Sequence, residues 1–161
     1  MKRIIVTGAN QGIGLGIVRR LLSEYDETFL ILAARSLEKG EQSVSLLLDE
    51  NKTWKNRLIT LKLDVELDDS VAEASEKIHS VFDGISEPIH CLINNAGVGD
   101  SYLSMQRVLD VNTWGVKRVC EAFLPLISKK QGRIVNVTSA SGPNFVAKCE
   151  ANSKYLSLIH I

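Results

Sequence analysis

The sequence predicts an α/β fold in which a parallel sheet is doubly wound and carries helices on both faces. Five short apolar segments alternate with longer amphipathic segments, which is typical of parallel strands joined by helical crossovers. A glycine-rich turn separates the first strand from the first helix. The 161 residues, 45% of them hydrophobic and 24% charged, allow one globular domain and exclude a disordered or collagen-like chain.

Each predicted element follows from its local residue pattern. Apolar runs predict strands at 3–7, 28–33, 57–63, 90–93 and 133–138. The run at 28–33 is continuously apolar, as in a strand covered on both faces, whereas the run at 57–63 alternates and is expected near a sheet edge. Helical spacing of apolar residues predicts helices at 12–25, 37–50, 69–82 and 103–128. The pattern fails from about residue 149, so we expect an incomplete α/β domain over 1–148 and an atypical tail over 149–161.

Composition and charge exclude several classes of protein. Nineteen Lys and Arg balance nineteen Asp and Glu, which argues against a broad surface for nucleic acid or an anionic membrane. No apolar run approaches the roughly 18 residues of a membrane span, and no signal-peptide pattern begins the chain. Three widely spaced cysteines predict neither a disulfide framework nor a metal site. We therefore expect a cytoplasmic protein without nucleic-acid, membrane or metal partners.

The turn after the first strand reads TGANQGIG and carries the strongest functional signal. Gly8 permits a tight turn, Gly12 leaves the backbone open to a diphosphate, and Gly14 lets the helix pack closely on the sheet. Free amides and the dipole at the helix N-terminus favour the anionic group. A purely structural turn is the alternative, but the position between strand and helix favours a Rossmann-type dinucleotide site.

Polar residues follow the second and third strands. No Asp or Glu lies between residues 30 and 37 to accept from a ribose 2′-hydroxyl, whereas Arg35 can pair with a 2′-phosphate and Ser36 can donate beside it. This pattern predicts NADP(H); the alternative is a solvated Arg at a helix entrance. Asp64 can accept from an adenine amino group, with the Val65 backbone beside it, unless Asp64 only caps the next helix.

The fourth strand ends in Asn94-Asn95-Ala96-Gly97. Polar and small residues at the carboxyl end of a central strand suit the crevice in which open α/β sheets bind ligands. We predict that Asn94 ties neighbouring strands together and that Asn95 meets the cofactor ribose. Ala96 and Gly97 would let the backbone approach the cofactor closely.

Two polar residues are candidates for the chemistry. Asn112 is a poor helix-interior residue, so it predicts an unwound turn whose carbonyl holds a water; a buried amide satisfied by the backbone is the alternative. Trp114 is expected in the core. Ser139 follows the fifth strand without a Gly-x-Ser-x-Gly elbow, which favours a hydrogen-bond donor to a substrate carbonyl oxygen over a nucleophile. Thr138 and Ser141 are its competitors.

The segments TGANQGIG, LDV, NNAG, VNTWG and GRIVNVTSASG together resemble the short-chain dehydrogenase/reductase family over about residues 3–142. Further details, among them the Ala-Arg after the second strand, resemble its carbonyl reductase branch. The resemblance implies a monomeric, cytosolic enzyme that uses NADPH to reduce aldehydes, ketones and quinones. It places Asn112 and Ser139 at catalytic positions. It implies cofactor contacts, with which we group Gln11, Ala96 and Gly97, at Gly8, Asn10, Gly12, Ile13, Gly14, Arg35, Asp64, Val65 and Asn95.

One part of the family pattern is missing. The family's proton donor is a Tyr followed four residues later by a Lys, which lowers the Tyr pKa. Tyr155 is the only Tyr after Ser139, and Ile159 stands four residues beyond it; Lys154 cannot replace that partner. We therefore expect an inactive N-terminal fragment of an NADPH-dependent carbonyl reductase, with a non-native tail. The alternative is a non-catalytic dinucleotide-binding module; a sugar-nucleotide epimerase or dehydratase fits the glycine spacing less well.

Overall fold

The computed structural model of the protein describes residues 1–99, 103–139, 144 and 147–148. The predicted tail at 149–161, including Cys149, Lys154 and Tyr155, lies outside the described residues. Ser141, one of the competitors of Ser139, also lies outside them.

Five parallel strands form one sheet. They are Lys2–Thr7 (β1), Thr28–Ala34 (β2), Leu58–Lys62 (β3), Cys91–Asn94 (β4) and Arg133–Asn136 (β5). The strand order is β3-β2-β1-β4-β5, and every pair is parallel. The parallel sheet and the edge position of β3 are therefore confirmed. The chain reverses direction across the sheet between β1 and β4, and this switch point is where such sheets bind ligands.

Helices cover both faces of the sheet, which confirms the doubly wound architecture. The α-helices are Gly12–Glu24 (α1), Leu37–Glu50 (α2), Asp68–Val81 (α3), Met105–Leu109 (α4) and Val116–Phe123 (α5). One core joins α1 and α2 to strand residues such as Ile4 and Val6. The other core joins α3 and α5 to the opposite face of the same strands, through residues such as Ile5 and Ile31. Alternate strand residues thus supply the two cores.

The predicted long helix over 103–128 is wrong in its continuity. A π-helical segment, Asp110–Gly115, separates α4 from α5, and Leu124–Leu126 forms a 3₁₀ turn that contains Pro125. A π turn inserts an extra residue and shifts the faces of the helix on either side of it. Trp114, predicted in the core, lies on this segment and is 50% exposed, so that prediction is also wrong.

The third strand begins one residue later than predicted because Arg57 has a different role. Arg57 ends a 3₁₀ helix, Lys52–Arg57, and its guanidinium is buried. It donates to the carbonyl oxygens of Leu22 and Tyr25, each at 2.9 Å, at the end of α1. The guanidinium therefore supplies a donor to the Leu22 carbonyl at the helix end, and it shares the Tyr25 carbonyl with Thr28.

The fifth strand is shorter than predicted, and it is exposed. It ends at Asn136 instead of residue 138, and all four of its residues are exposed. Within the described ranges it pairs with β4 alone and forms the outer edge of the sheet. Ile134 and Val135 are 40% and 44% exposed, which is high for apolar strand residues. Exposed apolar strand edges favour association with other chains.

A buried amide joins β5 to the sheet, as predicted for Asn94. Asn94 is 4% exposed, and its Nδ2 donates to Oδ1 of Asn136 at 2.9 Å and to Sγ of Cys120 at 3.3 Å. We expect Asn94→Ala to lower the free energy of unfolding by about 0.5–1.5 kcal/mol, because the side-chain hydrogen bond that joins β4 to β5 is lost. Urea unfolding measures this change. Asn56→Ala, on the surface, should change it by less than about 0.5 kcal/mol; equal effects of the two substitutions would contradict the role of Asn94.

Candidate functional site

The carboxyl ends of β1, β2, β3 and β4 surround a cleft of about 400 Å³. Every residue predicted for the cofactor lines this cleft: Gly8, Asn10, Gln11, Gly12, Ile13, Gly14, Arg35, Asp64, Val65, Asn95, Ala96 and Gly97. Ser36, Lys39, Leu63, Glu66, Val98 and Val111 complete the lining. The sheet therefore brings four separate sequence segments, 8–14, 35–39, 63–66 and 95–98, to one concave surface.

The glycine turn has a backbone that other residues would strain. Gly8 and Gly12 have φ values of 63° and 56°, in the left-handed region. A Cβ on Gly8 would lie 2.8 Å from Cα of Ala96, whereas a Cβ on Gly12 would meet nothing within 4 Å. Gly12 thus leaves open space at the first turn of α1, where free amides can reach an anion.

Gly14 permits a close approach of α1 to the carboxyl ends of β1 and β4. Its Cβ would lie 2.6 Å from Nδ2 of Asn95, 2.6 Å from the carbonyl oxygen of Gly8 and 2.8 Å from Cα of Ala9. The first turn of α1 therefore packs against the glycine turn and the residue that follows β4, while Val18 and Leu22 of α1 pack on the strands. Gly14 fixes the position of the α1 N-terminus relative to the cleft.

Side chains from three elements hold the turn in place. Thr7 Oγ1 accepts from the backbone amides of Asn95 and Ala96, each at 3.0 Å. Asn95 Nδ2 donates to the carbonyls of Thr7 and Gly8, at 3.0 and 3.3 Å, so the amide predicted to meet the ribose supports the turn with its nitrogen. Ser43 Oγ donates to the carbonyl of Asn10 at 2.7 Å. Sequence reasoning missed Thr7 and Ser43; their signal is a small polar residue in an otherwise apolar, buried position.

One rim of the cleft carries positive charge. Arg35 is exposed at the end of β2, and Ser36 caps α2 by accepting from the backbone amide of Lys39 at 3.3 Å. Lys39 lies in the first turn of α2, where the helix dipole disfavours a cation. Among the described residues neither Arg35 nor Lys39 has an ion-pair partner. Sequence reasoning missed Lys39, whose signal is a cation placed three residues after a helix-capping Ser.

The opposite rim is acidic and is built on Asp64. The Asp64 carboxylate accepts from the backbone amide of Glu66 at 3.1 Å, and the Asp64 amide donates to Ser70 Oγ at 2.9 Å. The N-cap position of α3 is Leu67, which offers no side-chain cap. The alternative that Asp64 caps this helix is therefore wrong, and one carboxylate edge remains to line the cleft.

Asn112 lies behind the cleft wall, on the π-helical segment. Its Oδ1 accepts from the Val98 amide and its Nδ2 donates to the Val98 carbonyl, both at 2.8 Å. A Cβ on Gly97 would lie 3.3 Å from Asn112 Oδ1, so Gly97 allows this contact. The predicted irregular turn is present. The alternative was a buried amide satisfied by the backbone. The Asn112 amide does bond to backbone atoms, but the residue is exposed, so the predicted burial is wrong.

The two predicted catalytic residues are not among the described residues that line the cleft. Ser139 is exposed and lies just beyond β5, and Thr138 beside it is exposed as well. The Val137 amide donates to the Asn94 carbonyl at 2.9 Å, which carries the pairing with β4 one residue past the strand. Ser139 therefore lies just past the carboxyl ends of the neighbouring strands β4 and β5.

The family model of the short chain dehydrogenases matches residues 2–155. This chain belongs to the short-chain dehydrogenase family. The glycine turn, the Asn94–Gly97 segment and the irregular turn at Asn112 are therefore parts of a short-chain dehydrogenase, as the resemblance implied.

Relatives of this short-chain dehydrogenase have several different activities by name. The mitochondrial D-beta-hydroxybutyrate dehydrogenase of Bos taurus is 36% identical over 149 residues, which are 88% of this chain and 42% of the relative. Carbonyl reductase [NADPH] 1 of Mus musculus is 30% identical over 162 aligned residues, covering 95% of this chain and 55% of the relative. The chain thus spans about half the length of these curated relatives.

Solved structures support the same fold. The alcohol dehydrogenase of Thermococcus sibiricus, complexed with 5-hydroxy-NADP, has a TM-score of 0.71 and 32% identity, covering 86% of this chain and 58% of that one. Menthone neomenthol reductase of Mentha piperita has a TM-score of 0.75 and 23% identity, covering 96% and 69%. The second likeness shows the fold alone.

The described residues contain no group of three or more His, Cys, Asp or Glu side chains placed to hold a metal ion. None of their helices is long and apolar enough to cross a membrane.

Cys91 and Cys120 are free thiols. Burial raises the pKa of the Cys91 thiol, although the nearby charge of Arg133 acts in the opposite direction.

Proposed function

We propose that this chain forms the NADP(H)-binding part of an oxidoreductase that reduces aldehydes, ketones or quinones to alcohols. The observation that carries the proposal is the cationic rim, where Arg35 and Lys39 flank Ser36 and lack carboxylate partners among the described residues. A 2′-phosphate carries two negative charges that such a rim would neutralise, whereas a ribose hydroxyl would require an acceptor there.

The residues of the cleft fit an extended dinucleotide. The open space at Gly12 and the free amides of α1 suit the diphosphate, and Arg35 and Lys39 suit the 2′-phosphate. The Asp64 carboxylate and the Val65 backbone suit the adenine edge. When bound, NADPH supplies the hydride that reduces a carbonyl carbon.

The chemical step would involve residues beyond the cleft wall. Ser139 would donate a hydrogen bond to the substrate carbonyl oxygen, and the backbone carbonyl of Asn112 would hold a water molecule. The 161 residues contain no Tyr followed four positions later by Lys. We therefore expect the chain to bind NADPH without reducing carbonyl compounds. The second candidate function is a dinucleotide-binding module that does not catalyse.

The test is a titration of the purified 161-residue chain with NADPH, followed by nucleotide fluorescence. We expect saturable binding of NADPH and weaker binding of NADH, with no consumption of NADPH when an aldehyde or quinone is added. A folded chain that binds neither nucleotide would overturn the proposal. Turnover by the chain itself would overturn the expected inactivity. A longer reading frame containing the Tyr-x-x-x-Lys pair would favour the reductase over the module.

We further propose that the protein acts as a monomer in the cytoplasm on a small carbonyl substrate, without nucleic-acid or membrane partners. The balanced charge supports this proposal. Cell fractionation tests this location. Since the bovine relative is named as mitochondrial, recovery in the mitochondrial fraction would contradict the proposal, and recovery in the cytoplasmic fraction would support it.

A further inference from the structure

The acidic rim of the cleft is held from outside by α5. Arg118, on α5, has a side chain that is only 24% exposed. Its Nη1 donates to the carbonyl oxygen of Val65 at 2.6 Å, and its Nε contacts the carboxylate of Asp68. One guanidinium therefore contacts both ends of the segment 65–68, which leads from the cleft lining to the first residue of α3.

Two further contacts bring this segment against the same helical region. A Cβ on Gly115 would lie 3.0 Å from Val65 Cγ2 and 3.1 Å from the Val65 carbonyl oxygen, so only glycine allows this approach without a shift. Glu66 forms an ion pair with Arg107 of α4 at 3.4 Å. The acidic rim thus depends on α4, the π-helical segment and α5 as well as on β3.

One peptide unit links the Arg118 contact to the Asp64 carboxylate. The Val65 carbonyl and the Glu66 amide belong to one planar peptide unit, so rotating one moves the other. Arg118 holds the oxygen of this unit, and the Glu66 amide at its other side donates to Asp64 Oδ1 at 3.1 Å. A fixed peptide plane therefore holds the carboxylate, and losing Arg118 would free both.

We propose that Arg118 is a positioning residue for recognition of the adenine base. It acts through the Val65–Glu66 peptide unit, which aims the second Asp64 oxygen at the exocyclic amino group. This inference rests on the proposed binding of NADPH. It assigns base selectivity to the acidic rim, because a carboxylate accepts from the amino group of adenine and repels the carbonyl oxygen of hypoxanthine.

The experiment compares NADPH with its analogue in which hypoxanthine replaces adenine. We expect the 161-residue chain to bind NADPH about 10- to 100-fold more tightly, since a hydrogen bond to a charged group is at stake. Arg118→Gln should bring this ratio close to 1. The ratio of affinities for NADPH and NADH should stay unchanged, because Arg35 and Lys39 are untouched.

Matched variants separate positioning from stability. Lys117→Gln removes a neighbouring cation that pairs with Glu121 on the same helix, and it should leave the base ratio unchanged. Arg118→Lys keeps the charge without the planar fork, so it should give an intermediate ratio. If Arg118→Gln does not fold, the same ratio of affinities for NADPH and the hypoxanthine analogue is measured in Arg118→Lys and Asp68→Asn. A lower ratio in these variants supports the positioning role, and an unchanged ratio contradicts it.

Each outcome bears on a different proposal. A folded Arg118→Gln variant that keeps the original ratio of affinities for NADPH and the hypoxanthine analogue, even if both affinities fall, would overturn the positioning role. Tight NADPH binding by the unaltered chain with no preference for adenine would also overturn it and leave the proposed function intact. Failure of the folded, unaltered chain to bind NADPH would instead remove the proposed function and this inference with it.

Discussion

Replacing Gly8 with alanine is expected to destabilise the fold strongly and to abolish NADPH binding. The φ of 63° at Gly8 costs an L-residue about 1–2 kcal/mol. The new Cβ would also lie 2.8 Å from Cα of Ala96, a backbone atom that cannot turn aside. Overpacking of this kind costs about 1–3 kcal/mol. We therefore expect a loss of about 2–5 kcal/mol in the free energy of unfolding, measured with urea.

Two other glycines provide matched controls for the Gly8 substitution. Gly16 lies inside α1 with nothing within 4 Å of an added Cβ, so Gly16→Ala should stabilise the protein by about 1 kcal/mol. Gly12 has open space but a φ of 56°, so Gly12→Ala should show the backbone strain alone. Similar unfolding energies for all three variants would mean that contacts at the turn do not determine its stability.

Removing both cations from the rim is expected to reverse the nucleotide preference. In the double variant Arg35→Ala, Lys39→Ala, the 2′-phosphate loses two charge-assisted partners, each contributing about 1.5–3 kcal/mol when well formed. Because both side chains lie at an exposed rim and are screened by solvent, we expect a combined loss near 100-fold in NADPH affinity. NADH lacks the phosphate, so its affinity should change by less than about threefold.

The control for this variant removes equal charge elsewhere. Lys52→Ala, Lys55→Ala neutralises two exposed lysines outside the cleft lining and should leave both affinities unchanged. The unaltered chain should also lose NADPH affinity as salt rises, more steeply than the double variant. If the rim variant weakens NADH as much as NADPH, then Arg35 and Lys39 do not read the 2′-phosphate.

Much of the cleft followed from residue patterns because its parts are local. The left-handed turn at Gly8 needs glycine, and the end of a buried strand is recognisable wherever apolar residues give way to Asn94 and Asn95. Parallel strands place their carboxyl ends at one edge, so residues far apart in sequence, such as Arg35 and Asp64, were expected at one crevice. The structure places them there.

The failures concern contacts between elements. The break at Asp110–Gly115 and the exposure of Trp114 depend on how the helical region meets the segment that contains Val65. The periodicity of apolar residues does not reveal a single residue inserted into a helix. Likewise, the pattern around Asn95 indicates a polar site, but the direction of its amide depends on the Gly8 carbonyl across the sheet.

Residue patterns were sufficient to predict the α/β architecture, the glycine turn and the set of residues at the cleft, since each depends on local conformational preference and on the alternation of apolar residues. They did not reveal which side chains support the site from behind. Arg118, Ser43 and Thr7 act through hydrogen bonds to backbone atoms of distant segments. Such bonds depend on distance and direction in space. The sequence shows which residues are polar, but it does not show which of them reach a given backbone group.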